Sequence, residues 1–317
     1  MDRRIFRCLV GAALLLMVPF TGIAHSQQHM TIGTASLGGA FYPVGNGVAE
    51  IVTRYAPGIK MTAEVTGGST ENPRLVGTGQ TDIGITNANH AFQAYRGEAP
   101  FTKKYDVVAI GALHGSVLHI VTIDKTGVRS IPDLRGKKIA AGPTGGGSIP
   151  MLKAVLAVYP EVKFEDLKPS YVSYSDGITA LKDGNVQAAL VGAGVPAAAV
   201  MELGVGHRVR FVEISEEKMA EITKKFPYHT REVIPAAVYK TDKDEVVMGV
   251  RNLLVVSSQM NEKIAYEITK AIYSNLDKLA TYHASLKHVI LKDAVQVTGV
   301  PFHPGALKFF KEKGLIQ

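Results

Sequence analysis

Short apolar, β-branched runs alternate along this chain with amphipathic stretches of helical period. TIGTA (31–35), KMTAEV (60–65), TDIGIT (81–86) and VVAIGAL (107–113) read as strands, and VGNGVAEIVTRY (44–55) reads as a helix between the first two. The rhythm resumes with KKIAA (137–141), SYVSY (170–174), VQAALV (186–191) and RVRFVEI (208–214). It closes with an apolar strand around GVRNLLVVSS (249–258), a long helix over NEKIAYEITKAIYSNLDKLA (261–280) and a terminal helix introduced by HPGALKFFKEKG (303–314). Alternation of this kind predicts an α/β fold with mostly parallel pairing.

Sliding the sequence along itself by 107 positions places Ile32 on Ile139, Gly38 and Gly39 on Gly145 and Gly146, and Pro43 on Pro150. Further on, LVGTGQTDIGI (75–85) pairs with ALKDGNVQAAL (180–190), so that Gly79 meets Gly184, and Gln80 and Asp82 meet Asn185 and Gln187. Each half reads strand, glycine-rich loop, helix with an early proline, strand, helix, strand. Two similar lobes follow: lobe I over 27–116, lobe II over 117–240, and a return to lobe I over 241–317. The chain crosses between them near 114–118 and 238–246. In open α/β sheets ligands sit beyond the carboxyl ends of the strands, the edge that carries both glycine loops here.

The first residues change the setting. Three arginines precede an apolar stretch from Cys8 to Phe20, and small residues follow, as in a secretory leader ending near Ala24 or Ser26. The apolar stretch is shorter than the roughly 20 residues a spanning helix needs. Loss of residues 1–26 would remove the one cysteine and lower the formal charge from +7 to +5. No disulfide is then expected, and the scattered basic charge gives no reason to expect nucleic acid.

Candidate chemistry narrows the function further. GPTGGGS (142–148) has the glycine spacing of a phosphate loop, but Ser148 stands where its lysine belongs. No G-x-G-x-x-G follows the first strand, so no nucleotide or other cofactor is expected. Neither GGSTE (67–71) nor GGSIP (146–150) completes G-x-S-x-G. His114 with His119, and His283 with His288, are five apart, which suits no metal-binding helix face; they read as surface or structural residues, and no metal is expected. What the loops offer is neutral donors at helix starts, where anions are favoured. No charged side chain occurs from Gly33 to Ala49 or from Ala140 to Leu152. The candidate ligand contacts are Ser36, Gly39, Phe41, Tyr42, Thr66, Gly68, Ser69, Thr70 and Asn87 from lobe I, and Thr144, Gly146, Gly147, Ser148 and Gly192 from lobe II.

IGTASLGGAFYPVGNGVAEIV, VTGGSTENPRLVGTGQTDIGITNAN, GPTGGGS and VGAGVPAAAV together resemble the TAXI family of extracytoplasmic solute receptors, which serve tripartite ATP-independent periplasmic (TRAP) transporters. The resemblance spans essentially the whole chain after the leader. It implies a two-lobed, type II-like periplasmic binding fold and capture of a small organic anion, a dicarboxylate such as 2-oxoglutarate or an acidic amino acid such as glutamate. It also implies delivery to membrane permease subunits driven by an ion gradient, a periplasmic location and no enzymatic turnover. A monomer is the default for such a hinged receptor. Gln187 departs from the acidic residue expected opposite Asp82. A receptor that passes its ligand to a membrane sensor, and a secreted enzyme on the same fold, are the alternatives.

Overall fold

The computed structural model describes residues 27–297 and 299–317, so the expected leader, residues 1–26, lies outside the described residues. The first half of the chain builds β1 (Gln28–Gly33), α1 (Phe41–Tyr55), β2 (Ile59–Glu64), α2 (Asn72–Gly77), β3 (Ile83–Asn87), α3 (Ala88–Arg96) and the long strand β4 (Val108–Thr122). The order then recurs as β5 (Lys138–Ala140), α4 (Ser148–Leu156), β6 (Lys168–Ser170), α5 (Tyr174–Lys182), β7 (Ala188–Ala193) and α6 (Ala198–Leu203). After β8 (Arg210–Phe211), α7 (Glu216–Lys225), β9 (His229–Ile234) and α8 (Ala236–Tyr239) comes a second long strand, β10 (Glu245–Val256). The chain ends with α9 (Glu262–Tyr273), α10 (Leu276–Leu279) and α11 (Pro304–Glu312).

The strands lie in the order β2-β1-β3-β10-β4-β7-β5-β6, with β8 on β4 and β9 on β10. β1 runs parallel to β2 and β3, and β5 runs parallel to β6 and β7. β4 and β10 are antiparallel to each other, to β7 and to β3. The sheet is therefore mixed rather than mostly parallel, because a chain that crosses to a second lobe must run back against its own outward strand. β4 pairs with β10 up to Val117 and with β7 from there on; β10 pairs with β9 up to Val250 and with β3 from Asn252.

The internal repeat is carried by matched bonds. Pro43 and Pro150 are each the third residue of α1 and α4, where a missing N–H costs nothing. Gly79 and Gly184 both take left-handed φ, 71° and 81°, after α2 and α5. The Thr31 N–H donates to Asp82 Oδ2 at 2.7 Å, and the corresponding Lys138 N–H donates to Gln187 Oε1 at 3.1 Å. Gln187 thus performs the bracing that Asp82 performs, without needing a charge.

Buried Val44, Val48, Ile51 and Val52 of α1 pack with Ile32, Ile83, Ile268 and Phe310 in one lobe. In the other, Leu152 and Val155 of α4 cover one sheet face, and Ile178, Leu181 and Leu203 cover the opposite one. Each such side chain contributes about 1.5–3 kcal/mol on burial. Several expected elements are shorter than the apolar pattern suggests, among them RVRFVEI, which keeps only Arg210–Phe211 as β8. SYVSY pairs only to Ser170, because Ser173 Oγ accepts the Asp176 N–H at 3.1 Å and starts α5 at Tyr174. The helix over 261–280 breaks into α9 and α10 at Ser274 and Asn275, where Asn275 Nδ2 donates to the Ala271 carbonyl at 2.8 Å.

Candidate functional site

The loops after β1, β2, β5 and β7 meet at the carboxyl edge and bring the first turns of α1 and α4 to one crevice. Its walls are Ala35, Gly39, Ala40, Phe41, Gly68, Ser69 and Asn87 from one lobe, and Gly146, Gly147, Tyr174 and Gly192 from the other. No lysine or arginine is among them. The crevice measures about 10 Å³, room for roughly one water. The lobes close it by bonding directly: the Thr70 N–H donates to the Gly145 carbonyl at 2.9 Å, and the Ala199 N–H donates to the Gly38 carbonyl at 3.0 Å. Thr70 Oγ1 adds a longer bond to the Gly146 carbonyl at 3.3 Å.

Glycine is required at two of these positions for different reasons. Gly68 has φ 109°, a conformation that side chains disfavour. Gly147 sits against Asn87 Oδ1, and a β-carbon there would strike that oxygen.

Of the residues the sequence nominates, Gly39, Phe41, Gly68, Ser69, Asn87, Gly146, Gly147 and Gly192 are gathered on the crevice wall. The hydroxyls are mostly committed elsewhere. Thr66 Oγ1 donates to Asn72 Oδ1 at 2.7 Å, and the Asn72 amide donates at 2.7 Å to the carbonyls of Thr34 and Ile85. Asn72 therefore clamps the loops after β1 and β2 to strand β3, which accounts for its place in TGGSTEN. Ser148 Oγ donates to the Ala141 carbonyl at 2.8 Å in a fully buried setting. Thr144 is exposed on the outer side of its loop, Tyr42 is half-buried on α1 off the crevice wall, and Thr70 acts between the lobes. Ser36 is buried, and its hydroxyl has no partner.

Ser69 Oγ accepts the Asn87 N–H at 2.7 Å and lies 2.8 Å from His90 Nδ1. Burial, then the neighbouring His229, lowers the His90 pKa to about 3, so this ring is neutral at physiological pH. Tyr174 was missed by the sequence reading. It is buried at the start of α5, where burial raises its pKa against the opposing effect of a hydrogen bond with Ser148; the hydroxyl stays protonated. Its signal was the Ser-x-x-Asp capping pattern of Ser173 and Asp176, which marks a helix start at the same edge.

Of the paired histidines, His114 and His119 are buried structural residues, His283 is half-buried and His288 is exposed. His119 is buried between the Val191 carbonyl and the Tyr239 hydroxyl, each at 2.9 Å, and burial lowers its pKa to about 4. His114 is buried beside Phe41 with neither ring nitrogen partnered. Among the described residues, no group of three or more His, Cys, Asp or Glu could hold a metal ion, and no helix is long and apolar enough to cross a membrane. Four larger hollows are found among the described residues, about 500 Å³ between α3 and α4, about 590 Å³ beside the crossing strands, and two of about 360 Å³. None is framed by the first turns of both α1 and α4, so the small crevice is the better candidate.

Two α/β lobes, two crossing strands and an interlobe crevice at the carboxyl edge define the type II periplasmic binding fold. Solved structures agree. PhnD1 from Prochlorococcus marinus (MIT 9301), in complex with methylphosphonate, superposes with a TM-score of 0.53 at 10% identity, over 92% of this chain and 100% of that one. A binding protein component of an ABC phosphonate transporter from Pseudomonas aeruginosa gives 0.53 at 10% identity, over 82% and 80% of the two chains. A protein of Bordetella bronchiseptica RB50 gives 0.53 at 18%, over 91% and 89%. Identities this low establish the fold alone. The sequence supplies the rest: residues 32–314 match the model of the NMT1-like family, and the chain belongs to that family.

Proposed function

We propose that this protein is a periplasmic solute receptor of a TRAP transporter, capturing a small organic anion of the dicarboxylate or acidic amino acid class and passing it unchanged to membrane permease subunits. The observation that carries the reading is a crevice walled by both lobes, framed by two helix N-terminal turns and free of cationic side chains. Unpaired N–H groups at helix starts favour negative charge. Hydrogen bonds to an ionised group contribute about 1.5–3 kcal/mol each. Three or four of them would supply most of the roughly 8 kcal/mol of a micromolar complex.

A crevice with room for one water admits such a ligand only when the lobes part. The bonds of Thr70 to Gly145 and of Ala199 to Gly38 must break for entry and re-form around the occupant. Contacts shared between lobes would then shift the population towards the closed form. In this reading the lobes are 27–116 with 251–317, and 117–250, divided where β4 and β10 exchange partners. The likeness to a methylphosphonate complex favours a second reading, a tetrahedral oxyanion delivered to an ABC transporter.

A thermal-shift panel of L-glutamate, 2-oxoglutarate, succinate, methylphosphonate, sugars and divalent cations separates these readings, since any ligand selective for the folded state raises the melting temperature. Stabilisation by the carboxylates supports the first reading, and stabilisation by methylphosphonate alone supports the second. Stabilisation by sugars or cations only would remove the anion site altogether.

A further inference from the structure

The crevice is wired to the strands that join the lobes. Asn87 Nδ2 donates to Asn252 Oδ1 at 2.7 Å, and Asn252 Nδ2 donates to Ser116 Oγ at 2.9 Å. All three side chains are buried. Asn252 is the residue at which β10 joins β3, next to Arg251, where pairing with β9 has ended. Ser116 lies one residue before β4 begins to pair with β7. The β4–β10 register is irregular at the same place, Arg251 facing Gly115 while Leu253 faces Ala112. A chain of three buried polar groups thus runs from the crevice wall through the point where both crossing strands change partner.

We infer that Asn252 is a positioning residue for lobe closure. With the Asn87 Nδ2 committed to Asn252, Asn87 Oδ1 is the end turned to Gly147 of the facing lobe, at the start of α4. An acceptor is the right group to meet unpaired helix N–H donors. Were the carboxamide free to turn over, its NH₂ would face those donors and oppose closure. Asn252 reaches neither the crevice nor a ligand, and acts by fixing which end Asn87 presents. Buried networks of this kind specify one arrangement when every member is satisfied. The inference rests on the crevice being the ligand site only for its effect on affinity, since its effect on closure needs no ligand.

The test combines small-angle X-ray scattering of the ligand-free protein with calorimetric titration of L-glutamate, for wild type, Asn252→Leu, Asn252→Asp and Ser116→Ala. Asn252→Leu should enlarge the ligand-free radius of gyration and weaken binding about tenfold, within the usual range of coupling between sites, although Asn87 is intact. Ser116→Ala should move both readouts less, in the same direction. Asn252→Asp, which accepts from both neighbours, should restore closure. A folded Asn252→Leu with wild-type scattering and affinity overturns the inference; should that variant not fold, unchanged values in Ser116→Ala do so. If wild type binds no L-glutamate, the proposed ligand class is in trouble, while the ligand-free scattering still decides the role of Asn252.

Discussion

The two lobes share a framework and differ at the crevice. In the first, Asp82 braces β3 to β1 through the Thr31 N–H; in the second, Gln187 braces β7 to β5 through the Lys138 N–H. At the facing edge the likeness ends. The first lobe brings Ser69 and Asn87 side chains with a neutral His90 behind them, whereas the second brings backbone at Gly146, Gly147 and Gly192 and one aromatic hydroxyl, Tyr174. Bracing tolerates exchange of carboxylate for carboxamide because it needs only an acceptor. The crevice is assembled from unlike halves because each surface has to complement the other.

The largest expected effect separates the lobes' folding from their meeting. Gly147→Ala would drive a methyl group into Asn87 Oδ1 of the opposite lobe, so ligand affinity by calorimetry should fall about 100-fold while the melting temperature of the ligand-free protein hardly moves. Gly45→Ala is the contrast, since its β-carbon would strike Thr34 within the same lobe; it should lower the melting temperature first. Equal loss of stability in both variants would break the distinction.

Acid should come next. His90 and His114 have pKa values lowered to about 3, and His119 and His229 to about 4, burial being the main cause in each. Unfolded histidines titrate near 6.5, so over the interval between the values the unfolded chain binds more protons. Stability is complete above pH ~6.5 and falls as pH drops towards ~3. Thermal melts across that range should show uptake of more than one proton on unfolding. A flat profile would mean that these rings are hydrated or charged in the folded protein.

Smaller effects test the shared framework. Asp82→Ala leaves the half-buried Thr31 N–H without its acceptor and should cost about 1–3 kcal/mol in denaturant titrations; Gln187→Ala does so at the solvent-exposed Lys138 N–H, where water takes the acceptor's place, and should cost less than about 1 kcal/mol, with ligand affinity unchanged in both. A loss of affinity in either would make the brace part of the site. The smallest effect is expected for Thr70→Val, which removes the 3.3 Å hydroxyl bond between lobes but leaves the backbone bond to Gly145. Affinity should drop less than about fivefold, or ~1 kcal/mol.

Much of this was legible in the chain. The alternation of periods, and glycines and prolines recurring at fixed offsets, follow from backbone demands that few residues meet: Gly79 and Gly184 in left-handed φ, Pro43 and Pro150 in first helical turns. Crevice-wall residues such as Gly68, Ser69 and Gly147 were legible because they sit in loops after strands. The commitments of Thr66 and Ser148 were not, since nothing local says that a neighbouring carbonyl claims a hydroxyl. Nor was Tyr174, whose β-branched and aromatic surroundings resemble a strand until the Ser173 cap is recognised. The mixed sheet escaped because periodicity gives a strand's faces and not its direction. Asn252 escaped because its importance comes from long-range register, pairing opposite Asn87 across 165 positions.

Because β4 and β10 are bonded to each other along most of their length, the connection between the lobes is a ribbon and not two independent tethers. A ribbon bends and twists at low cost, but sliding one lobe past the other would shear its ladder of amide bonds. The opening that the proposed function requires would thereby be confined to a swing, and every return would bring the same glycines face to face.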